Sequence, residues 1–396
     1  MRESLTQSAG LPYARIMLEH LPSNSFLYYL TLEKESLRLT SEEKEALKKE
    51  LTQERIIWID YPYDRFGLKM AFKWLKMIPS LHRTCKKDNI QLLIALGPVA
   101  GAIVEILHQT TGIPYFVDGY EPHARSMVEN GTWASKGIAF KLLRWFEKKQ
   151  TKNAFALIAT SDKMLDYAEE EYGLEPKQFF VKRACVDLDM FQIQEPDPAL
   201  SRHHGTEKNV TCVYAGKLGG IYLKQEVFDF WKVCDDYWEG KFKVLMLTDS
   251  PRSQVEELAI QAGLSTSKID SMFVNHDEVP KYMNLAHFAI NPVKPVPSKR
   301  YCTSVKDGEY WACGLPVVIP ANIADDSDLI EEHGIGAVLH GFQYEDYLKA
   351  AKAIDKIIER SKSEDVSKKI RALAVENRSF ELAHNIYQSI LQGLKD

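Results

Sequence analysis

The chain predicts an α/β fold of two domains, each a parallel sheet flanked by helices, and three features point there. Short apolar runs alternate with helical patterns almost throughout, the mark of repeated β–α–β units. The 396 residues are 45% hydrophobic, enough for two buried cores. A polar, Pro-containing stretch at 192–208 separates two such series and reads as a linker.

In the first half, residues 1–20 carry an amphipathic helical pattern around Leu11, Ile16, Met17 and Leu18. A strand at 26–32, ending in Glu33-Lys34-Glu35, precedes a polar helix at 41–51. Thr40 is the expected N-cap of that helix, with Glu43 completing a capping box. Strands follow at 56–61, 92–96 and 115–118, with helices at 67–87 and 99–110 between them. After the 115–118 strand comes Asp118-Gly119-Tyr120-Glu121-Pro122-His123-Ala124-Arg125-Ser126, rich in donors and acceptors. In open parallel sheets ligands bind outside the carboxyl ends of strands, so this loop is a candidate for chemistry. An Asp capping the next helix and a His on a solvated loop are the plain alternatives.

Residues 134–151 form a basic amphipathic helix in which Lys136, Lys141, Arg144, Lys148 and Lys149 accompany Phe140, Leu142, Leu143, Trp145 and Phe146. The spacing favours a helix packed on a sheet with a solvated cationic face. Aromatics among lysines also suit an anionic membrane surface. Glu147 in this helix reads as structural. A strand and turn at 157–161, a helix at 162–172 and the segment 179–187 close the first half.

The second half opens with a strand at 210–214 and the turn Ala215-Gly216-Lys217-Leu218-Gly219-Gly220-Ile221-Tyr222. Glycines between a strand and a helix let backbone amides approach an anion without obstruction. Lys217 adds charge there, and Lys224 is a second, weaker candidate. Strands at 244–249, 271–274 and 288–292 follow, with helices at 250–262 and 276–286. Ser304-Val305-Lys306-Asp307-Gly308-Glu309-Tyr310-Trp311-Ala312 then reads as a loop entering a helix that Cys313-Gly314-Leu315-Pro316 ends. The unpaired amides of its first turn suit a phosphate, Lys306 adds a cation, and Glu309 suits the two hydroxyls of a ribose. A bare ion pair between Lys306 and Glu309 is the plain alternative. Val317-Val318-Ile319 fits a buried parallel strand, and 325–332 starts a helix that is acidic at its N-terminal end. Helices at 344–358, 361–376 and 381–394 complete the chain.

The string from Lys306 to Val318 resembles the donor-binding segment of GT-B glycosyltransferases, in particular the family-4-like group of retaining, nucleotide-sugar-using enzymes. The resemblance is firm over residues 205–340 and general in architecture over the rest. It implies two Rossmann-like domains facing across a cleft. Residues 1–200 would bind the acceptor, 201–375 the nucleotide sugar, and 376–396 would form a terminal helix packing back on the first domain. The implied activity is a hexosyltransferase-type enzyme of polysaccharide biosynthesis, with a nucleoside-diphosphate sugar as donor and a glycan, lipid-linked or protein acceptor. Retention, no metal and no further cofactor are expected, because two lysines could replace a divalent cation. The resemblance implies catalytic roles for Asp118, His123, Lys217 and Lys306. It implies donor contacts from Gly216, Gly219, Gly220, Lys224, Val274, Ser304 and Glu309, with Asn322, Ala324 and Asp325 lining the pocket.

Two departures from the family pattern stand out. Many such enzymes carry a second Glu eight positions before the one at Glu309, and here that position is Tyr301. The family also opens with an apolar strand and a Gly-rich turn, whereas this chain begins almost at the helix. Either that strand is absent or the start was placed late. Both departures fit a competing class, a non-catalytic partner-binding platform. A nucleotide-sugar epimerase of the same fold would need paired carboxylates beside the sugar.

Composition narrows the rest. The net charge is −5, which argues against a nucleic-acid binder relying on a broad basic surface. The six cysteines form no CxxC pair or Cys/His cluster, so neither zinc nor a disulfide framework is suggested. A cytoplasmic location is the simplest compartment, with peripheral contact at the inner face of a membrane through 134–151.

Overall fold

The computed structural model describes residues 10–33, 39–63 and 68–394. Lys34 and Glu35 of the first strand, Gly67 of the expected 67–87 helix, and residues 1–9 of the N-terminal pattern lie outside the described residues. The chain forms two compact units, residues 1–182 with 380–396, and residues 183–379.

The first unit runs α1 (Gly10–Glu19), β1 (Leu27–Glu33), α2 (Ser41–Gln53), β2 (Ile56–Pro62), α3 (Leu68–Lys87), β3 (Leu93–Leu96), α4 (Pro98–Thr111) and β4 (Tyr115–Tyr120). It continues α5 (His123–Glu129), α6 (Ile138–Asn153), β5 (Ala156–Ala159), α7 (Met164–Tyr172) and β6 (Phe179–Val181). The capping box forms as expected: Glu43 N–H donates to the Thr40 hydroxyl at 3.3 Å, and Thr40 N–H donates to the Glu43 carboxylate at 2.9 Å.

All strands here are parallel, but they divide into two sheets, β1–β2 and β3–β4–β5–β6, where the strand–helix alternation alone predicts one. Leu32 of β1 and Tyr61 of β2 pack on the cluster that holds Met70, Trp74 and Met77 of α3, Ile103 of α4 and Phe146 of α6. A shared apolar core thus joins the strand pair to the larger sheet, and alternation of elements says nothing about where a ladder breaks.

The second unit runs α8 (Pro198–His204), β7 (Val210–Ala215), α9 (Gln225–Tyr237), β8 (Phe242–Leu247), α10 (Arg252–Gln261), β9 (Ile269–Met272), α11 (Val279–Met283) and β10 (Phe288–Ile290). Then come α12 (Val305–Ala312), β11 (Val317–Pro320), α13 (Asp326–His333), β12 (Gly336–Leu339), α14 (Tyr344–Arg360) and α15 (Val366–Arg378). The expected 276–286 helix is shorter: His276–Glu278 form a 3₁₀ turn, and α11 starts only at Val279 with Pro280 in its first turn. Only four residues long and beginning with Gly336, β12 is too short to announce itself by period.

This sheet is six-stranded and parallel, in the order β12–β11–β10–β7–β8–β9. From β7 the chain winds outward through β8 to β9 at one edge and, from β10, through β11 to β12 at the other. The order therefore reverses between β7 and β10, and ligands bind at the carboxyl ends of the strands at such a point. Trp231, Trp311, Tyr214 and Tyr310 are fully buried in the core around this sheet. The last helix, α16 (Glu381–Gly393), belongs to the first unit, where Tyr387 packs edge-on against Tyr13 of α1 at 6.2 Å.

Candidate functional site

The carboxyl end of β7 runs straight into the glycine turn, and the turn meets α12. A β-carbon on Gly216 would lie 2.8 Å from Lys306 Cε and 3.1 Å from the Tyr214 hydroxyl, so a side chain there would push the end of the lysine aside. Lys306 Nζ donates to the Tyr222 hydroxyl at 2.6 Å and lies 4.1 Å from the centre of that ring. The turn is pinned from three sides. Tyr214 donates to Lys217 O at 2.6 Å, Ala215 N–H donates to the Tyr310 hydroxyl at 2.9 Å, and Leu218 N–H donates to Ser250 Oγ at 3.2 Å.

Gly219 has φ +78°, a region that favours glycine, and the Lys224 side chain occupies the space a β-carbon there would need. Gly220, at φ +64°, turns the chain toward α9 in open space. Lys217 and Lys224 are exposed and Lys306 is half-buried. None of the three pairs with a carboxylate among the described residues, although the chain is net acidic. Three cations without an acidic partner around a glycine turn make an arrangement that suits an anion.

Ser304 stands at the N-cap of α12, but its hydroxyl makes no cap bond; its N–H donates to Asp326 Oδ2 at 3.1 Å. Asp307, in the first turn, is fully buried, and Asn291 Nδ2 donates to both its oxygens at 2.8 Å. Burial, and then the neighbouring Asp326, push the Asp307 carboxyl well above the usual carboxylate range. Asp326 pairs with the fully buried Arg378.

One turn on, Glu309 has a partner that sequence reading missed. His276 Nε2 lies 3.2 Å from Glu309 Oε1. That hydrogen bond raises the imidazole above its ordinary range, against burial, which lowers it. The only signal for His276 in the sequence was its place just past the carboxyl end of β9. Val274, before it, is buried, while Phe273 is exposed. In the loop after β11, Asn322 (φ +62°) and Ala324 (φ +43°) are both left-handed, a strained choice for residues with a β-carbon. Asp325 pairs with Arg183 at 2.9 Å.

The residues singled out in the first unit are placed differently. Asp118 is buried, its Oδ2 is 3.1 Å from Lys182 Nζ, and the Tyr387 hydroxyl bonds the same oxygen. Lys182 Nζ also sits 3.3 Å from the centre of the Tyr13 ring. Asp118 is thereby tied to α1, α16 and the end of β6, an anchoring position. His123 begins α5, with Nδ1 2.9 Å from Glu121 Oε1 and about a third of its side chain exposed. Beneath it, the fully buried Glu147 accepts from Ala124 N–H at 2.8 Å and from the Tyr172 hydroxyl at 2.9 Å. Burial pushes Glu147 up to about 7, against these two bonds, which pull it down.

Comparison with known proteins agrees with this architecture. Residues 47–183 match the family model of the glycosyl transferase 4-like domain. No curated protein matches the chain in sequence. Among solved structures, that of Anabaena HepE in complex with UDP and glucose is 17% identical, with a TM-score of 0.65, covering 99% of this chain and 98% of that one. Sucrose-phosphate synthase from Thermosynechococcus elongatus is 13% identical, with a TM-score of 0.66, covering 92% and 95%. WaaG, a glycosyltransferase involved in lipopolysaccharide biosynthesis, is 14% identical, with a TM-score of 0.66, covering 96% and 94%. Residues 47–183 thus form a glycosyl transferase 4-like domain, and the chain as a whole shares the two-unit, parallel-sheet fold of these structures almost end to end.

Proposed function

We propose that the chain transfers a hexose from a nucleoside-diphosphate sugar to a glycan, lipid-linked or protein acceptor, with retention and without a metal. The observation that carries this reading is the grouping of Gly216, Lys306, Lys217 and Lys224 at the switch point of the second sheet, with no carboxylate among the described residues paired to the three lysines. The HepE structures hold UDP, and one holds UDP-glucose, so a uridine nucleotide is the donor to try first.

Departure of a nucleoside diphosphate leaves negative charge on the β-phosphate. Lysines and amides already aimed there stabilise that charge without reorganising. Lys306 is held by Tyr222 rather than by an acid, so its charge stays available to a phosphate. The transition state is oxocarbenium-like at the sugar and needs no strong protein nucleophile. Glu309 accepts the ribose hydroxyls. The first unit supplies acceptor contacts, with His123 as the residue at the carboxyl end of β4 that reaches solvent. Asp118 supports this unit through Lys182 rather than through contact with sugar.

The outer face of α6 favours a peripheral membrane contact during this reaction. Ile138, Leu142 and Trp145 are exposed in one stripe at 84%, 41% and 52%, while Leu143 and Phe146 face the core. Lys136, Lys141 and Lys148 are exposed beside them, and Lys149 lies over the Trp145 ring. Apolar side chains fringed by cations suit an anionic bilayer. No helix among the described residues is long and apolar enough to cross a membrane. Co-sedimentation with vesicles containing anionic lipid, but not with neutral ones, tests the contact, and Trp145→Ala is expected to weaken it.

Isothermal titration of the chain with the four common ribonucleoside diphosphates tests the donor reading. Binding that weakens about tenfold or more in Lys306→Ala is expected, from the loss of one charge-assisted bond. A folded chain that binds none of the four overturns the transferase reading.

A further inference from the structure

We infer that His276 is a positioning residue of the donor site: it holds one oxygen of Glu309 so that the carboxylate presents its remaining lone pairs to a ribose. This rests on the donor reading of Glu309 given above. The two side chains come from different elements, the turn after β9 and the second turn of α12, and meet at 3.2 Å with only 21% and 14% of their surfaces exposed. Glu309 forms no other side-chain hydrogen bond among the described residues. Without His276, the carboxylate is free to rotate.

A carboxylate offers about four acceptor positions, so one bond to His276 leaves room for both hydroxyls of a ribose. The imidazole is itself held. Its ring meets the edge of Phe191 at 5.4 Å, and its Nδ1 is buried without a partner. The Nε2 bond to Glu309 is therefore the one side-chain hydrogen bond of the ring among the described residues. The charged groups acting on the ring are Glu309 from α12, Asp277 from its own turn and Asp187 from the segment before β7. All three are acids and favour the imidazolium, whose bond to a carboxylate is stronger than that of the neutral ring.

The consequence is a preference for ribose over 2′-deoxyribose that depends on His276. The experiment titrates the full chain with four ribonucleoside diphosphates, takes the tightest, and repeats the titration with its 2′-deoxy counterpart. His276→Ala is expected to weaken the ribose form about tenfold while changing the deoxy form little, so the preference largely disappears. His276→Gln keeps an N–H donor and is expected to restore most of the preference. Between about pH 6 and 8.5 the wild type should lose several-fold more affinity than His276→Gln as the imidazolium deprotonates; comparing the two removes the titration of the phosphate itself. An unchanged ribose preference in His276→Ala, or a His276→Gln variant as defective as the alanine one, overturns the positioning role and leaves the donor reading intact. A wild-type chain that binds no nucleoside diphosphate overturns both.

Discussion

The glycine turn of the second unit and the loop after β4 in the first unit look alike as sequence. Each follows a parallel strand, and each gathers charged and polar residues. In the structure they differ in one respect. Around the turn, Lys217, Lys224 and Lys306 have no acidic partner among the described residues, whereas Asp118, His123 and Glu147 near the β4 loop all have partners within hydrogen-bonding distance. Unpaired charge of one sign is costly to gather and is kept where a ligand supplies the opposite sign. Paired and buried charge holds structure, and removing one partner strands the other.

The largest effect that would break this contrast is in the first unit. Asp118→Ala leaves Lys182 buried without its counter-ion and is expected to cost about 3–5 kcal/mol in urea unfolding. Should that variant unfold at the wild-type midpoint, Asp118 is not the anchor described. Lys306→Ala, measured in the same way, should shift stability by only about 0.5 kcal/mol.

Next comes Glu147, whose pH dependence has a definite sign. Its folded pKa of about 7 lies above the ordinary 4.5, so the folded state binds the proton more tightly than the unfolded chain. The stability this brings is full below about pH 4.5 and is lost as pH rises through about 7, a swing of roughly 3 kcal/mol. Glu147→Gln should therefore be more stable than the wild type at pH 8 by up to about 3 kcal/mol, with the gap closing toward pH 4.5. A pH-independent difference would mean that Glu147 does not titrate in this window.

Smaller effects sharpen the other side of the contrast. Lys217→Ala, at an exposed position, should weaken nucleoside diphosphate binding by only a few-fold, less than Lys306→Ala, and the difference should shrink at high salt. Gly219→Ala is expected to cost about 1 kcal/mol in stability from its positive φ, with a further loss of affinity because Lys224 must move. If Gly219→Ala binds as well as the wild type, Lys224 does not contribute to the site.

Much of the second unit was legible in the chain because its candidate site is built from nearly local strings. Gly216 to Lys224 and Lys306 to Glu309 are two contiguous strings, and backbone geometry at a turn and a helix start follows from residue type. The first unit was less so. Asp118 looked like a chemical group until Lys182 and Tyr387, the latter 269 positions away, closed on it. His276 and Glu309 are 33 positions apart, and no period or motif connects them.

The sequence by itself determined the alternation of strand and helix, the capping at Thr40, the glycine turn and the phosphate-suited start of α12, since each depends on neighbours within a turn or two. Only the tertiary structure decided which charges are spent on partners and which remain free. It also decided the break into two sheets and the reversal of strand order between β7 and β10. Pairing of buried charges and ladders depends on distances between residues far apart in the chain, and those distances exist only once the core has packed.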